Sequence, residues 1–311
     1  MAKKEKHSWV RRAWSVIRSR DTSVGSKLAT ITRNIAFRLD KLKRLRIVLK
    51  SSPPRFDGWG MTSKHYLPWE ENSTDELGVT FTKVNDLLKE KVRGNKFVLS
   101  QFSDSDGKID KNYCLTKLNA LSWRHYFVYW TAIYATRFTR FSQLNLVEAG
   151  VCDGLTVSFA MSAVRDELGS DSGFEAHLYD AWAEMRGMYL TPEEKRAENS
   201  YSFLSLERTK TNLRDFEGKC NFVQGYIPDV FVVNSGPSEI SWLHIDLNSS
   251  IPTLKTLEQF FPKLLPGGVV LFDDYGHGGY RETREAADQY CSQASGLLMP
   301  LPTGQAAFFK R

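Results

Sequence analysis

The stretch ISWLHIDLNSSIPTLKTLEQFFPKLLPGGVVLFDD, Ile240 to Asp274, decides the fold. ISWLHIDL reads as a strand, TLKTLEQFFPKL as a helix ended by PGG, and GVVLFDD as a second strand. That second strand runs four apolar residues, Val269, Val270, Leu271 and Phe272, straight into two carboxylates, Asp273 and Asp274. Adjacent anions at the end of a buried strand repel each other and lose hydration, so a compensating cation is expected. A metal ion is one candidate.

Upstream the same alternation continues. LNLVEAG, FEAHLYD and CNFVQG have the composition of short strands, and LTVSFAMSAVRDEL that of a helix. Strands alternating with helices predict a doubly wound, Rossmann-like α/β sheet, whose ligands bind beyond the carboxyl ends of the strands. Each strand is therefore read at its last residue. There the sequence places Glu148, Asp180, Gly225, Asp246, and Asp273 with Asp274.

The turn EAGVCDG, Glu148 to Gly154, carries Gly150 and Gly154, with Val151 and Asp153 between them and Thr156 at the start of the following helix. Glycines there let the backbone approach a ligand closely. Cys152 stands where a dinucleotide fold would place its second glycine, and the strand already ends in an acid. An acid before the turn suits a ligand bearing an ammonium group better than a pyrophosphate, and S-adenosylmethionine (SAM) is such a ligand. Asp180, one strand later, is placed to accept hydrogen bonds from ribose hydroxyls. Trp182 follows closely enough to stack on adenine or approach a sulfonium, with core packing as the equal alternative.

These segments, with FVQGYIPDVF (Phe222 to Phe231), the paired HID and PGGVVLFDDYG, and PTGQAAFFK (Pro302 to Lys310), resemble the TylF group of macrocin- and mycinamicin-type sugar O-methyltransferases. The resemblance covers roughly Trp123 to Lys310. It implies a class I SAM-dependent methyltransferase fold, with magnesium on Asp246, Asp273 and Asp274 and the cofactor turn on Glu148 to Gly154. Asp180 then takes the ribose, and the QGYIPD loop with Gly225 lies on the adenine side. The implied acceptor is a small-molecule or glycan hydroxyl, of a sugar or other vicinal diol, and relatives of this kind self-associate. Three converging carboxylates form a hard oxygen site suited to magnesium. Asp246 is the expected base by the same analogy. His277 is the second candidate, because an imidazole titrates near neutrality and Gly276, Gly278 and Gly279 surround it. Where the family often has a second aspartate and a tyrosine, this chain has Asn248, Ser249 and Ser250.

His244 shares the strand parity of Asp246 and either lines the site or is a hydrogen-bonded core histidine. MRGMYLTPEEKRAENSYSF, Met185 to Phe203, reads as a long connection of the kind that closes over substrate.

The 311 residues carry a net charge of +6, but unevenly. Residues 1–50 hold 15 Lys and Arg against 3 acids, a balance of +12, so the remainder carries −6. Trp9, Val10, Ala13, Trp14 and Ile17 recur at helical spacing among arginines, which is the composition of an interfacial helix or, equally, of a helix packed on its own domain or a dimer mate. This predicts a basic amphipathic extension over 1–52, a mixed lead-in over 53–122 and a methyltransferase domain over 123–311. Residues 1–50 are expected to attach to an anionic membrane surface. The arm contains no recognisable nucleic-acid module. Four scattered cysteines without a CxxC pair argue for reduced thiols, and no apolar run is long enough for a bilayer span or a secretory signal. The expected location is the cytoplasm, at the inner face of a membrane where the arm engages one. Two other readings stay open at this stage: a metal-dependent nucleotide-sugar transferase, and a membrane-tethered, non-catalytic methyltransferase-like protein.

Overall fold

In the computed structural model, the residues described are 77–79, 81–93, 97–99, 122–170 and 172–311. The basic arm and most of the 53–122 lead-in lie outside them. The helices are α1 (Phe81–Arg93), α2 (Ser122–Phe138), α3 (Leu155–Leu168), α4 (Leu206–Asn212), α5 (Ser250–Phe260) and α6 (Arg281–Ser292). The strands are β1 (Leu144–Ala149), β2 (Phe174–Asp180), β3 (Cys220–Gln224), β4 (Ile240–Ile245), β5 (Leu264–Phe272), β6 (Gly296–Pro300) and β7 (Ala306–Lys310).

All seven strands form one sheet in the order β3-β2-β1-β4-β5-β7-β6. The first five run parallel, and β7 lies antiparallel between β5 and β6. The order reverses between β1 and β4, which opens the crevice where such sheets bind ligands. Two cores cover the two faces. One packs α1, α2 and α3 on the sheet through residues such as Val84, Leu88, Val128, Phe159 and Trp242, and the other packs α5 and α6 through Leu257, Phe260 and Ala287.

The central strands are buried along their whole length, so they read as continuous apolar runs rather than alternating ones. PGG does not end a helix next to the sheet, as the sequence suggests. It belongs to β5 itself, where the pairing with β4 shifts between Ile240 and Trp242. Gly267 has φ +81°, and a Cβ there would lie 2.3 Å from the Phe138 carbonyl oxygen. The β6–β7 pair at the C-terminal edge carries no alternating pattern that marks it in the sequence.

Register decides what meets at the strand ends. Ile245 pairs with Phe272, and the Asp273 N–H donates to the Ile245 carbonyl at 3.0 Å, so Asp246 and Asp273 emerge side by side. Glu148 pairs with His244 in the same way. Trp242, His244 and Asp246 share one face of β4, and α2 packs over that face. Its Thr131 hydroxyl accepts the Trp242 indole N–H at 3.0 Å, and its first turn carries Arg124 to Asp246. No helix among the described residues is long and apolar enough to cross a membrane.

Candidate active site

A cavity of about 310 Å³ opens along the carboxyl ends of the parallel strands. One end is formed by Gly150, Cys152, Asp180, Gly225 and Tyr226, the other by Arg124, Asp246, Asp273, Asp274, His277 and Tyr280.

The glycine turn is held from three sides. Gly150 has φ +88°, and a Cβ on it would lie 1.8 Å from the Asp246 carbonyl oxygen, so only glycine fits between the ends of β1 and β4. Cys152, at φ 53°, adopts the left-handed backbone a glycine would take there. Both carboxylate oxygens of Asp180 are engaged: Oδ2 accepts from Val151 N at 2.8 Å and Cys152 N at 2.9 Å, and Oδ1 from Trp182 N at 2.7 Å. Asp180 therefore orders the turn as well as lining the cavity.

Several expected cofactor residues support the turn from behind. Glu148 is buried and does not line the cavity; its Oε1 lies 2.8 Å from His244 Nδ1, and its Oε2 has no partner. Asp153 is buried and accepts from Arg208 Nε at 2.9 Å. Thr156 is buried in the first turn of α3 and Val151 is 3% exposed. Trp182 is a core residue, not a cavity wall. Its indole N–H points at the Cys152 carbonyl and the Thr209 hydroxyl, each at 3.0 Å, and its ring lies 6.2 Å from that of Phe222. Gly154, at φ +83°, precedes α3 and packs on Leu213.

At the other end the three predicted acids do converge. Ligand atoms of Asp246, Asp273 and Asp274 lie within 4.8 Å of one another. A cation is already there: Arg124 donates from Nε to Asp273 Oδ1 at 2.6 Å and from Nη2 to Asp246 Oδ2 at 2.8 Å. Sequence reasoning missed this residue. Its one signal is an arginine in the first turn of a helix that is otherwise mostly aromatic and apolar up to its last turn. Gln305, one residue before β7, adds an Nε2 donor to Asp273 Oδ1 at 3.1 Å. His244 is fully buried, with Nε2 lacking a hydrogen bond and 3.8 Å from the same oxygen. Asn248, at φ 54°, donates from Nδ2 to Asp246 Oδ1 at 3.3 Å.

One guanidinium does not neutralise three carboxylates, and the titration behaviour reflects the excess. Burial, then the charge of Asp273, push Asp246 up to about 7 against the pull of Arg124. Burial, then Asp246 and Asp273, push Asp274 up to about 8. Burial acts upward on Asp273 too, but Arg124 and His244 outweigh it and hold Asp273 below the usual carboxylate range. For His244 burial acts downward, yet Asp273 and Glu148 lift the imidazole to about 9. The cluster fits a hard divalent ion: three oxygen donors, two uncompensated charges, and an Asp274 Oδ2 that is buried without a partner.

His277 lies on the exposed rim, where its Nδ1 accepts from Gly279 N at 3.2 Å. The Met185–Phe203 connection is more ordered than its composition suggests, with short 3-10 turns at Gly187–Tyr189 and Lys195–Ala197. Glu194, buried, accepts from Ser250 N at 2.7 Å, from the Ser249 hydroxyl at 2.9 Å and from Thr191 N at 3.0 Å. A carboxylate at the start of α5 both caps the helix and interacts with its positive end. Arg196 donates to the Gly279 carbonyl, which ties this connection to the His277 loop. Burial, then the charge of Asp246, raise the Tyr201 phenol, so the connection also brings an aromatic side chain over the acids.

Residues 147–275 match a family model described as a methyltransferase domain. Among solved structures the chain is similar to the O-methyltransferase NovP, at 16% identity and a TM-score of 0.57 over 74% of this chain and 99% of that one. It is also similar to the calicheamicin methyltransferase CalS11, at 16% identity and a TM-score of 0.46 over 81% and 97%. No curated protein matches by sequence. At such identity the likeness to NovP speaks to the fold alone. The fold is the Rossmann-like sheet of class I methyltransferases, and the stretch that matches the methyltransferase-domain model, residues 147–275, holds the glycine turn and the three acids.

Proposed function

We propose that the chain is a SAM-dependent O-methyltransferase that methylates a hydroxyl of a sugar or other vicinal diol held beside Asp246, Asp273 and Asp274. The observation that carries this reading is one cavity with a glycine turn at one end and three clustered carboxylates at the other. Gly150 and Gly225 line the cavity at the strand ends, where their missing side chains let the backbone pack closely on Asp246 and Val230, and Asp180 lines the cavity within the turn it orders.

Bound SAM supplies a methyl group on a positively charged sulfur. Magnesium held by Asp246, Asp273 and Asp274 would lower the pKa of a hydroxyl beside it. The chain's own work is alignment and exclusion of water, with Tyr201, Leu204 and Tyr280 walling the acid end. The acceptor oxygen would gain the methyl group as the carbon–sulfur bond gave way, with S-adenosylhomocysteine (SAH) as the leaving product. The hydroxyl proton passes to Asp246, with His277 at the rim as the alternative acceptor. Residues 1–50 would hold the enzyme at an anionic membrane surface, which pelleting with anionic vesicles, reversed by high salt, would test.

The decisive experiment is calorimetric titration with SAH, followed by turnover of a diol panel with magnesium or with a chelator. Saturable SAH binding and chelator-sensitive methylation are expected. Absence of SAH binding refutes the reaction class, and turnover that survives chelation refutes the metal.

A further inference from the structure

The acidic cluster holds a cation of its own. Arg124 spans two adjacent strands, with Nε on Asp273 Oδ1 at 2.6 Å and Nη2 on Asp246 Oδ2 at 2.8 Å. The arginine side chain is 24% exposed and the two aspartates 12% and 22%, so these bonds are largely sheltered from water. We propose that Arg124 is a resident counter-ion that competes with a divalent cation for Asp246 and Asp273 and holds the affinity for that cation down. The inference rests on the reading of the cluster as a metal site.

The argument is one of oxygens and charge. Arg124 occupies one oxygen on each of two acids, and Asp246 Oδ1 is further engaged by Asn248 at 3.3 Å. Asp274 Oδ2 stays buried without a partner. With all three acids ionised, three carboxylates less one guanidinium leave two formal negative charges facing the cavity, while the buried His244 beside Asp273 is matched by Glu148 behind it at 2.8 Å. A cation entering among these oxygens meets a fixed positive charge one hydrogen bond away from two of its three ligands, and like charges at that range repel. Arg124 also keeps Asp246 and Asp273 together when no metal is bound, because its planar fork is fixed in shape. The result is a preassembled site of modest affinity, occupied in proportion to the free divalent concentration.

The test uses the full chain and manganese as the probe, with free Mn²⁺ read by electron paramagnetic resonance in wild type, Arg124→Gln and Arg124→Lys. Removing the charge in Arg124→Gln is expected to tighten Mn²⁺ binding roughly tenfold or more, and Arg124→Lys, which keeps it, to stay within about threefold of wild type. Equal or weaker binding by Arg124→Gln, or no binding by either protein, overturns the proposal. A second measurement needs no altered protein: magnesium titrated into wild type should shift the Arg124 Nε–H resonance, and an unmoved resonance at saturation overturns it as well. SAH calorimetry on the same samples separates the two readings. If SAH fails to bind while the manganese contrast holds, the methyl-transfer reading falls and the competition stands; the reverse result removes only the competition.

Discussion

Gly150→Ala is the substitution that most directly tests how the cavity is built. The added Cβ would sit 1.8 Å from the Asp246 carbonyl oxygen and 2.6 Å from its carbon, both backbone atoms of the neighbouring strand end. No side chain can rotate away to relieve such contacts. The turn would have to separate from β4, breaking the bond from Asp246 N to the Ala149 carbonyl, 2.9 Å long. A φ of +88° adds about 1–2 kcal/mol for a residue with a side chain. Forced overpacking adds about 1–3 kcal/mol. Together these give about 2–5 kcal/mol, or roughly 10 °C in Tm for a domain of this size. Thermal and denaturant unfolding, followed by circular dichroism, would read the loss, and SAH binding should weaken in parallel. A variant within about 1 kcal/mol of wild type would refute the claim that the turn and the acid strand are locked backbone to backbone.

Stability in the presence of a chelator should fall as pH rises from about 5 to 9, by roughly 2 kcal/mol or more. Asp246 near 7, Asp274 near 8 and His244 near 9 all hold protons more tightly folded than unfolded, so their contribution is complete at low pH and lost as each deprotonates. Magnesium, which prefers the ionised acids, should flatten that fall; a pH series of denaturant melts with and without it checks both statements. Asp274→Asn should raise Tm in chelator, because it removes one of three buried carboxylates that repel one another, while lowering methyl transfer by about 100-fold or more. Glu194→Ala should cost about 1–3 kcal/mol through the lost cap of α5, measured by urea unfolding, with the weakest protection appearing in hydrogen exchange at Ser250 and Thr191.

Much of the site was legible because the strands announce their own ends. In VEAGVCDG and VVLFDDYG an apolar run stops at an acid or a glycine, and parallel register brings those stops together. What stayed hidden was pairing across large sequence distance. Glu148 reads as a cofactor acid, but β1–β4 register sets it against His244, 96 residues away. Arg124 reaches Asp273 across 149 residues, and nothing in SWRHYF specifies which face its first turn presents, because aromatic residues stand on every side of the helix. Trp182 looks like a stacking residue until the positions of Thr209 and Cys152 show where its N–H goes. The connection after β2 misleads through its composition, since Glu194 resembles any solvated glutamate until α5 is placed beside it.

The place of β7 in the sheet has a consequence for biosynthesis. Gln305 supplies a donor to Asp273, and Gly304 accepts from the N–H of Gly276 beside the acids, so the segment leading into β7, made after every other described strand, helps frame the acid cluster. A nascent chain that has not yet emitted these residues has its glycine turn but an open flank beside Asp273. The flank of Asp273 is therefore closed only after the strands that carry the glycine turn and the three acids have been made.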